Sequence, residues 1–215
     1  SARIEALARG PIDVAMASHG VDVAQLAAHG LVAHEIAYTA VVFAVHSAVA
    51  LRAITREQVC DVLSGRLTRW RSFHVEGGDI IALTRPGDEV DAAVALQNIP
   101  CLREITTASN VRVIARPDSM AATLARTPGA FGVTSMTMVR ASEGSIAALR
   151  LDGIAPTSEN VTSGAYPLRR GAYLITRAVP SAAVRRFLDF IRGDDGARII
   201  AAGGAVPAAR NMRSP

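Results

Sequence analysis

Arg85 stands where the apolar run 79–84 ends, and the chain continues Pro86-Gly87-Asp88-Glu89-Val90-Asp91. An arginine ahead of a turn and a helix start can hold an anion. Its guanidinium is a planar fork of donors, and the first helical turn adds free backbone N–H groups at the positive end of the dipole. Asp88 offers the same guanidinium an internal partner, so anion binding and self-neutralisation stand as equal alternatives. The loop is acidic. Ionised carboxylates accept hydrogen bonds but cannot donate them, and they compete for the N–H groups an anion would use. Like charges about 4 Å apart in partly wet surroundings cost on the order of 4 kcal/mol, roughly three decades of affinity. Gly87 and Asp88 thus belong to a candidate anion loop that is expected to hold an ordinary oxyanion weakly or not at all. Ser135, at the end of the run AFGVTS (130–135), is a candidate hydroxyl donor, with an unremarkable loop role as its rival.

Other chemistries find little support. The chain has no GxSxG, GxxxxGK[ST] or HExxH pattern. Its five histidines, His19, His29, His34, His46 and His74, do not form a ligand set; a metal site needs three or four convergent ligands, and no metal is expected. No cofactor is implied. All 23 basic residues are arginine, against 19 acidic ones, a bias that composition alone explains. The basic residues form no run and are not interleaved with aromatics, so no nucleic acid partner is expected. Cys60 and Cys101 are compatible with one bridge in an oxidising compartment or with two separate buried thiols. Trp70 could line a ligand cleft or pack between a helix and a loop.

The positioning elements follow from periodicity. Residues 3–9, about 21–29, 88–97 and a long amphipathic stretch capped by Ser181 have helical spacing. Thr55-Arg56-Glu57-Gln58 is a capping box, and Asp118 or Ser119 is expected to cap the helix MAATLAR. Strands are expected at 12–17, 36–46, 79–84, 111–115, 130–135 and 172–177. The long β-branched run 36–46 suggests a strand buried on both faces, typical of a parallel sheet. Alternating strands and helices make the fold α/β, mainly parallel. No stretch is long and apolar enough to span a membrane, and residues 1–10 lack the apolar core of a signal peptide.

In order along the chain, several segments resemble the phosphate-binding family of periplasmic solute-binding proteins. They are ALARG running into IDVAMAS (6–18), IAYTAVV (36–42), ITREQ through LSGRLTRW (54–70), TPGAFGV (127–133), and SENV through GAYPLRR to LITR (158–177). The resemblance covers nearly the whole chain. It implies a type II periplasmic-binding-protein fold: two lobes joined by crossover strands, here 1–40 with 162–215 and 41–161. It also implies reversible, non-enzymatic capture of a small anionic solute in the interlobe cleft, delivery to an ABC permease in the membrane, and a periplasmic or extracytoplasmic location.

The resemblance further implies ligand contacts at Ser1, where the family has the serine of a GSG turn, and at Ser18 and His19, where the family lines its cleft. Two features depart from the pattern. The family's opening strand, helix and strand precede the point matching Ser1, which predicts a first lobe lacking a sheet edge and exposing apolar surface. The family's R..GSGT loop is matched by Arg85-Pro86-Gly87-Asp88-Glu89-Val90-Asp91, whose carboxylates replace the hydroxyls and argue against ordinary phosphate capture. The rival function is a binding fold whose solute site has degenerated, serving as sensor, scaffold or interaction module. A regulator's ligand domain is a third reading, disfavoured because no DNA-binding helix pair is evident.

Overall fold

The computed structural model describes residues 2–18 and 21–208, and the chain forms two units, 1–38 with 170–215 and 39–169. The first unit begins with α1 (Ala2–Arg9), β1 (Ala15–Ala17) and α2 (Val23–Ala28), whose N-terminus is capped by the Asp22 side chain. Strand β2 (Leu31–His46) then carries the chain into the second unit.

In the second unit follow β3 (Ala53–Ile54), α3 (Arg56–Leu63), a 3-10 turn (Trp70–Phe73), β4 (Ile81–Thr84), α4 (Val90–Asn98), α5 (Cys101–Glu104) and β5 (Arg112–Val113). Next come α6 (Pro117–Arg126), β6 (Ala130–Ser135), α7 (Met136–Ala141), β7 (Ile146–Ala148), β8 (Arg150–Leu151) and α8 (Ser158–Ser163). Strand β9 (Arg169–Arg177) returns the chain to the first unit, which closes with α9 (Ala182–Arg192), α10 (Asp194–Ala202) and β10 (Val206–Pro207).

The second unit is built on β4, with β5 and β6 parallel on its two sides. Beyond β6, β2 runs antiparallel to β6 and β7. The expectation of a mainly parallel sheet is thus corrected: β2 is antiparallel to both. Its residues Ala40 to Val45 are buried throughout, so the apolar run reported burial on both faces, which does not determine strand direction. The core includes the stacked pair Phe43–Phe131, with ring centroids 5.7 Å apart. The buried Trp70 ring donates through Nε1 to Gly129 O at 3.1 Å. Gly129 has φ +79°, and a Cβ there would lie 2.9 Å from Asp79 O, so only glycine suits the turn.

A disulfide joins Cys60 in α3 to Cys101 in α5, with Cα atoms 6.2 Å apart, which settles the open question of the two thiols. The capping box forms as read: Thr55 accepts from Gln58 N, and Gln58 Oε1 accepts from Thr55 N. At α6 neither Asp118 nor Ser119 is the cap. Arg116 takes that place with Pro117 at the first helical position, because the Asp118 carboxylate accepts from Arg116 instead. That bonding holds the carboxyl down at about 2.

The second unit extends to Arg169, further than the expected boundary after 161. Local bonds explain the difference. Arg169 donates to Val161 O at 2.7 Å, and the buried Tyr166 hydroxyl donates to Val41 O at 3.0 Å. Burial raises the Tyr166 phenol, so it stays a donor.

In the first unit β9 has β1 antiparallel on one side and β2 on the other, and β10 is antiparallel to β2. Successive residues of β9 face opposite ways. Ile175 packs with Leu7, Ala15, Leu26 and Leu31, while Leu174 packs with Val184 and Leu188. Polar staples reinforce this small core. Arg177 donates to Leu7 O, Ile12 O and Asp13 Oδ1. The Thr176 hydroxyl donates to Arg177 O and so accepts from His34 Nε2, while Arg192 donates to His34 Nδ1 at 3.0 Å. These partners fix one neutral tautomer of His34. Burial, and then the Arg192 charge, hold the imidazole below its ordinary value.

Candidate functional site

Strand β4 is aliphatic (Ile81-Ala82-Leu83-Thr84) and buried at Ala82 and Leu83, so it sits inside its sheet. It pairs with β6 in parallel, Ile81 opposite Ala130 and Ala82 opposite Phe131. Continuing that register brings Arg85 level with Thr134, one residue before Ser135. The carboxyl ends of β4 and β6 therefore open on the same sheet edge, and α4 and α7 begin just beyond them. Ligands of open α/β sheets bind beyond the carboxyl ends of strands, where helix N-termini also supply N–H donors.

Arg85 is the unusual residue at this edge. It is only 4% exposed. Its Nη2 donates to Glu89 Oε2 at 2.7 Å. Its Nε and Nη1 are buried and have no hydrogen-bond partner among the described residues. An unsatisfied buried donor costs about 1–3 kcal/mol, more on a charged group. A buried cation with unused donors is suited to take an oxyanion, which supplies both charge and acceptors.

The acidic loop is arranged differently from the sequence reading. Asp88, the expected partner of Arg85, is exposed in the turn with Gly87; Glu89 holds the guanidinium instead. Asp91 is buried in the first turn of α4. Asp88 and Glu89 thus part, because a turn followed by a helix sends successive side chains in different directions. Glu89 is the N-cap residue of α4 but makes no side-chain cap, since its carboxylate is engaged by Arg85. Glu89 stands four residues after Arg85, and the intervening turn, closed by Glu89 N on Pro86 O, brings the two side chains together.

Ser135 is buried and caps α7, accepting from Met138 N at 3.5 Å, with its Oγ 2.8 Å from Thr137 Oγ1. It is shared between a structural cap and the sheet edge. Thr134 and Thr39 are further buried hydroxyl residues near this edge: Val41, two residues after Thr39, pairs with Ser135. Sequence reasoning missed both because they look like ordinary β-strand threonines.

Ser18 is half-buried just after β1 in the first unit. Ser1 and His19 lie outside the described residues. The structure therefore brings Arg85, Gly87, Asp88 and Ser135 to one region of the second unit. Trp70 is in the core. Among the described residues no group of three or more His, Cys, Asp or Glu side chains converges, and no helix is long and apolar enough to cross a membrane.

Comparison with known proteins gives the family. The model of the PBP superfamily domain matches residues 1–195. The phosphate-binding protein PstS of Bacillus subtilis (strain 168) is 24% identical over 172 residues, 78% of this chain. The chain spans about half of that relative, 54% of its length. A crystal structure of a putative phosphate ABC transporter substrate-binding protein with bound phosphate from Clostridium perfringens superposes with a TM-score of 0.77 at 22% identity, covering 97% of this chain and 84% of that one. An ABC-type phosphate transport receptor from Vibrio cholerae superposes with a TM-score of 0.63 at 21% identity, covering 95% and 84%. These likenesses bear out the type II periplasmic-binding-protein fold read from the sequence. The match along residues 1–195, together with an α/β fold common to solved phosphate-binding proteins, establishes that the chain belongs to the PBP superfamily domain family.

Proposed function

We propose that this chain is an extracytoplasmic solute-binding protein of an ABC importer that reversibly captures a small oxyanion of the phosphate type, with Arg85 as its principal anion-binding group. The observation that carries the reading is the buried guanidinium of Arg85 with Nε and Nη1 unpartnered among the described residues, at the carboxyl end of a parallel strand. The names of the B. subtilis and C. perfringens proteins point to phosphate as the ligand class and to a membrane permease as the partner. The Cys60–Cys101 disulfide suits an oxidising compartment. Ser135, Gly87 and Asp88 complete the proposed edge in this unit; Ser18, Ser1 and His19 are proposed as ligand contacts on the sequence resemblance alone. Capture needs donors and a shaped site rather than a nucleophile or a metal, so no cofactor takes part.

Arg85 is held by Glu89 while Asp88 is exposed in the turn, so phosphate capture is retained here, against the expectation drawn from the loop's composition. Calorimetric titration with inorganic phosphate at neutral pH tests this. The parent should bind, and Arg85→Gln should weaken binding by at least about tenfold, which is about 1.4 kcal/mol. Equal binding by parent and variant would remove Arg85 from the site. Absence of binding would favour the degenerate-site reading.

A further inference from the structure

The guanidinium of Arg85 has two faces able to hold an oxyanion through a pair of parallel N–H bonds: the side formed by Nε and Nη2, and the end formed by Nη1 and Nη2. Nη2 belongs to both. It is this shared nitrogen that donates to Glu89 Oε2, at 2.7 Å, while the two atoms that complete the faces, Nε and Nη1, are unpartnered among the described residues. One internal carboxylate thus blocks both two-point modes while satisfying neither face.

The two partners are not held alike. The Arg85 side chain is 2% exposed and Glu89's is 41% exposed. The cation is fixed in the protein interior, whereas the carboxylate reaches it from a loop end partly in water. The Glu89 backbone is anchored independently of its side chain, with its N–H on Pro86 O at 3.0 Å and its C=O accepting from Ala93 N at 2.8 Å. It makes no side-chain cap on α4. The carboxylate can leave Arg85 without unravelling the helix start.

We propose that Glu89 is a built-in competitor of the anion site: it occupies the shared nitrogen of Arg85, and an incoming oxyanion such as inorganic phosphate gains its two-point hold only by displacing it. This rests on the reading of Arg85 as the anion-binding group. The device sets affinity, because each capture exchanges one carboxylate for one oxyanion. It also favours ligands that present two coplanar acceptor oxygens and outbid a single carboxylate oxygen.

The experiment is calorimetric titration of inorganic phosphate into the parent, Glu89→Gln, Glu89→Ser and Arg85→Gln, with melting temperatures recorded for all four. Glu89→Gln keeps the shape and an acceptor but removes the charge; Glu89→Ser removes the contact. The expected result is phosphate binding at least tenfold tighter in both Glu89 variants than in the parent, about 1.4 kcal/mol, with binding lost in Arg85→Gln. Folded Glu89 variants that bind phosphate as the parent does, or more weakly, would overturn the competitor role while leaving the anion site standing. Should neither the parent nor the Glu89 variants bind, the anion-site reading falls and the competitor falls with it.

Discussion

Arg85 in the second unit and Arg177 in the first are both drawn into the fold, and they are used in opposite ways. Arg177 spreads its donors over Leu7 O, Ile12 O and Asp13, tying α1 and the loop after it to β9. Its side chain is 31% exposed, so water reaches what the protein does not. Arg85 is 2% exposed, has one internal partner, and leaves Nε and Nη1 without any among the described residues. The first arrangement ties elements together; the second leaves donors open, and on these the proposed anion site rests. The units that hold them differ in the same sense. The second is locked by a disulfide and an aromatic core, which lets it keep a poorly satisfied cation in place. The first, with smaller apolar clusters, relies on polar staples at Arg177 and His34.

The sharpest way to break this contrast is to remove the lock. The bridge spans a sequence separation of 41, which corresponds to about 4 kcal/mol in the chain-entropy account. Replacing Cys60 and Cys101 together by alanine should lower unfolding free energy by that order in denaturant titration. A loss under about 1 kcal/mol would show that the core alone holds the second unit.

Arg177→Met comes next. It leaves two backbone carbonyls and Asp13 without their donor, at about 1–3 kcal/mol for the unsatisfied groups. Stability should fall by about that amount while phosphate affinity stays within about twofold, the reverse of the pattern expected at Arg85. A large loss of affinity in Arg177→Met would erase the distinction between staple and binding group.

The smallest effect concerns His34. Its folded value is depressed, so the unfolded chain takes up a proton more readily. Its contribution to stability is therefore complete above the ordinary histidine value near 6.5 and is lost as pH falls from there towards the folded value. Melting temperature should drop on acidification through this window, and the drop should be shallower in His34→Gln. Equal slopes for parent and variant would exclude His34 as the titrating group.

Much was legible along the chain because it was local. The capping box at Thr55 and Gln58 and the cap at Ser181 form as read, since each needs only residues three apart. Trp70 packs where its setting implied. The segments of the family pattern were sufficient to name the fold, because motifs such as TPGAFGV encode a turn, a close backbone approach and a buried strand together. Strand direction was not legible: the run within β2 reports burial, and the antiparallel pairing with β6 depends on where the chain returns after α6. The cap of α6 was misassigned because Arg116 engages Asp118 first.

For the candidate site, residue types and spacing by themselves determined that an arginine, a glycine turn and a carboxylate-rich helix start would lie together at the end of a strand. Which carboxylate meets the guanidinium was left to tertiary structure, because Asp88 and Glu89 are adjacent in sequence and only the turn geometry sends one to solvent and the other to Arg85. The same holds for burial. An arginine at a strand end is ordinarily exposed, and only the packing around β4, paired with β6 on one side and β5 on the other, places Arg85 out of water, where its unused donors acquire their cost.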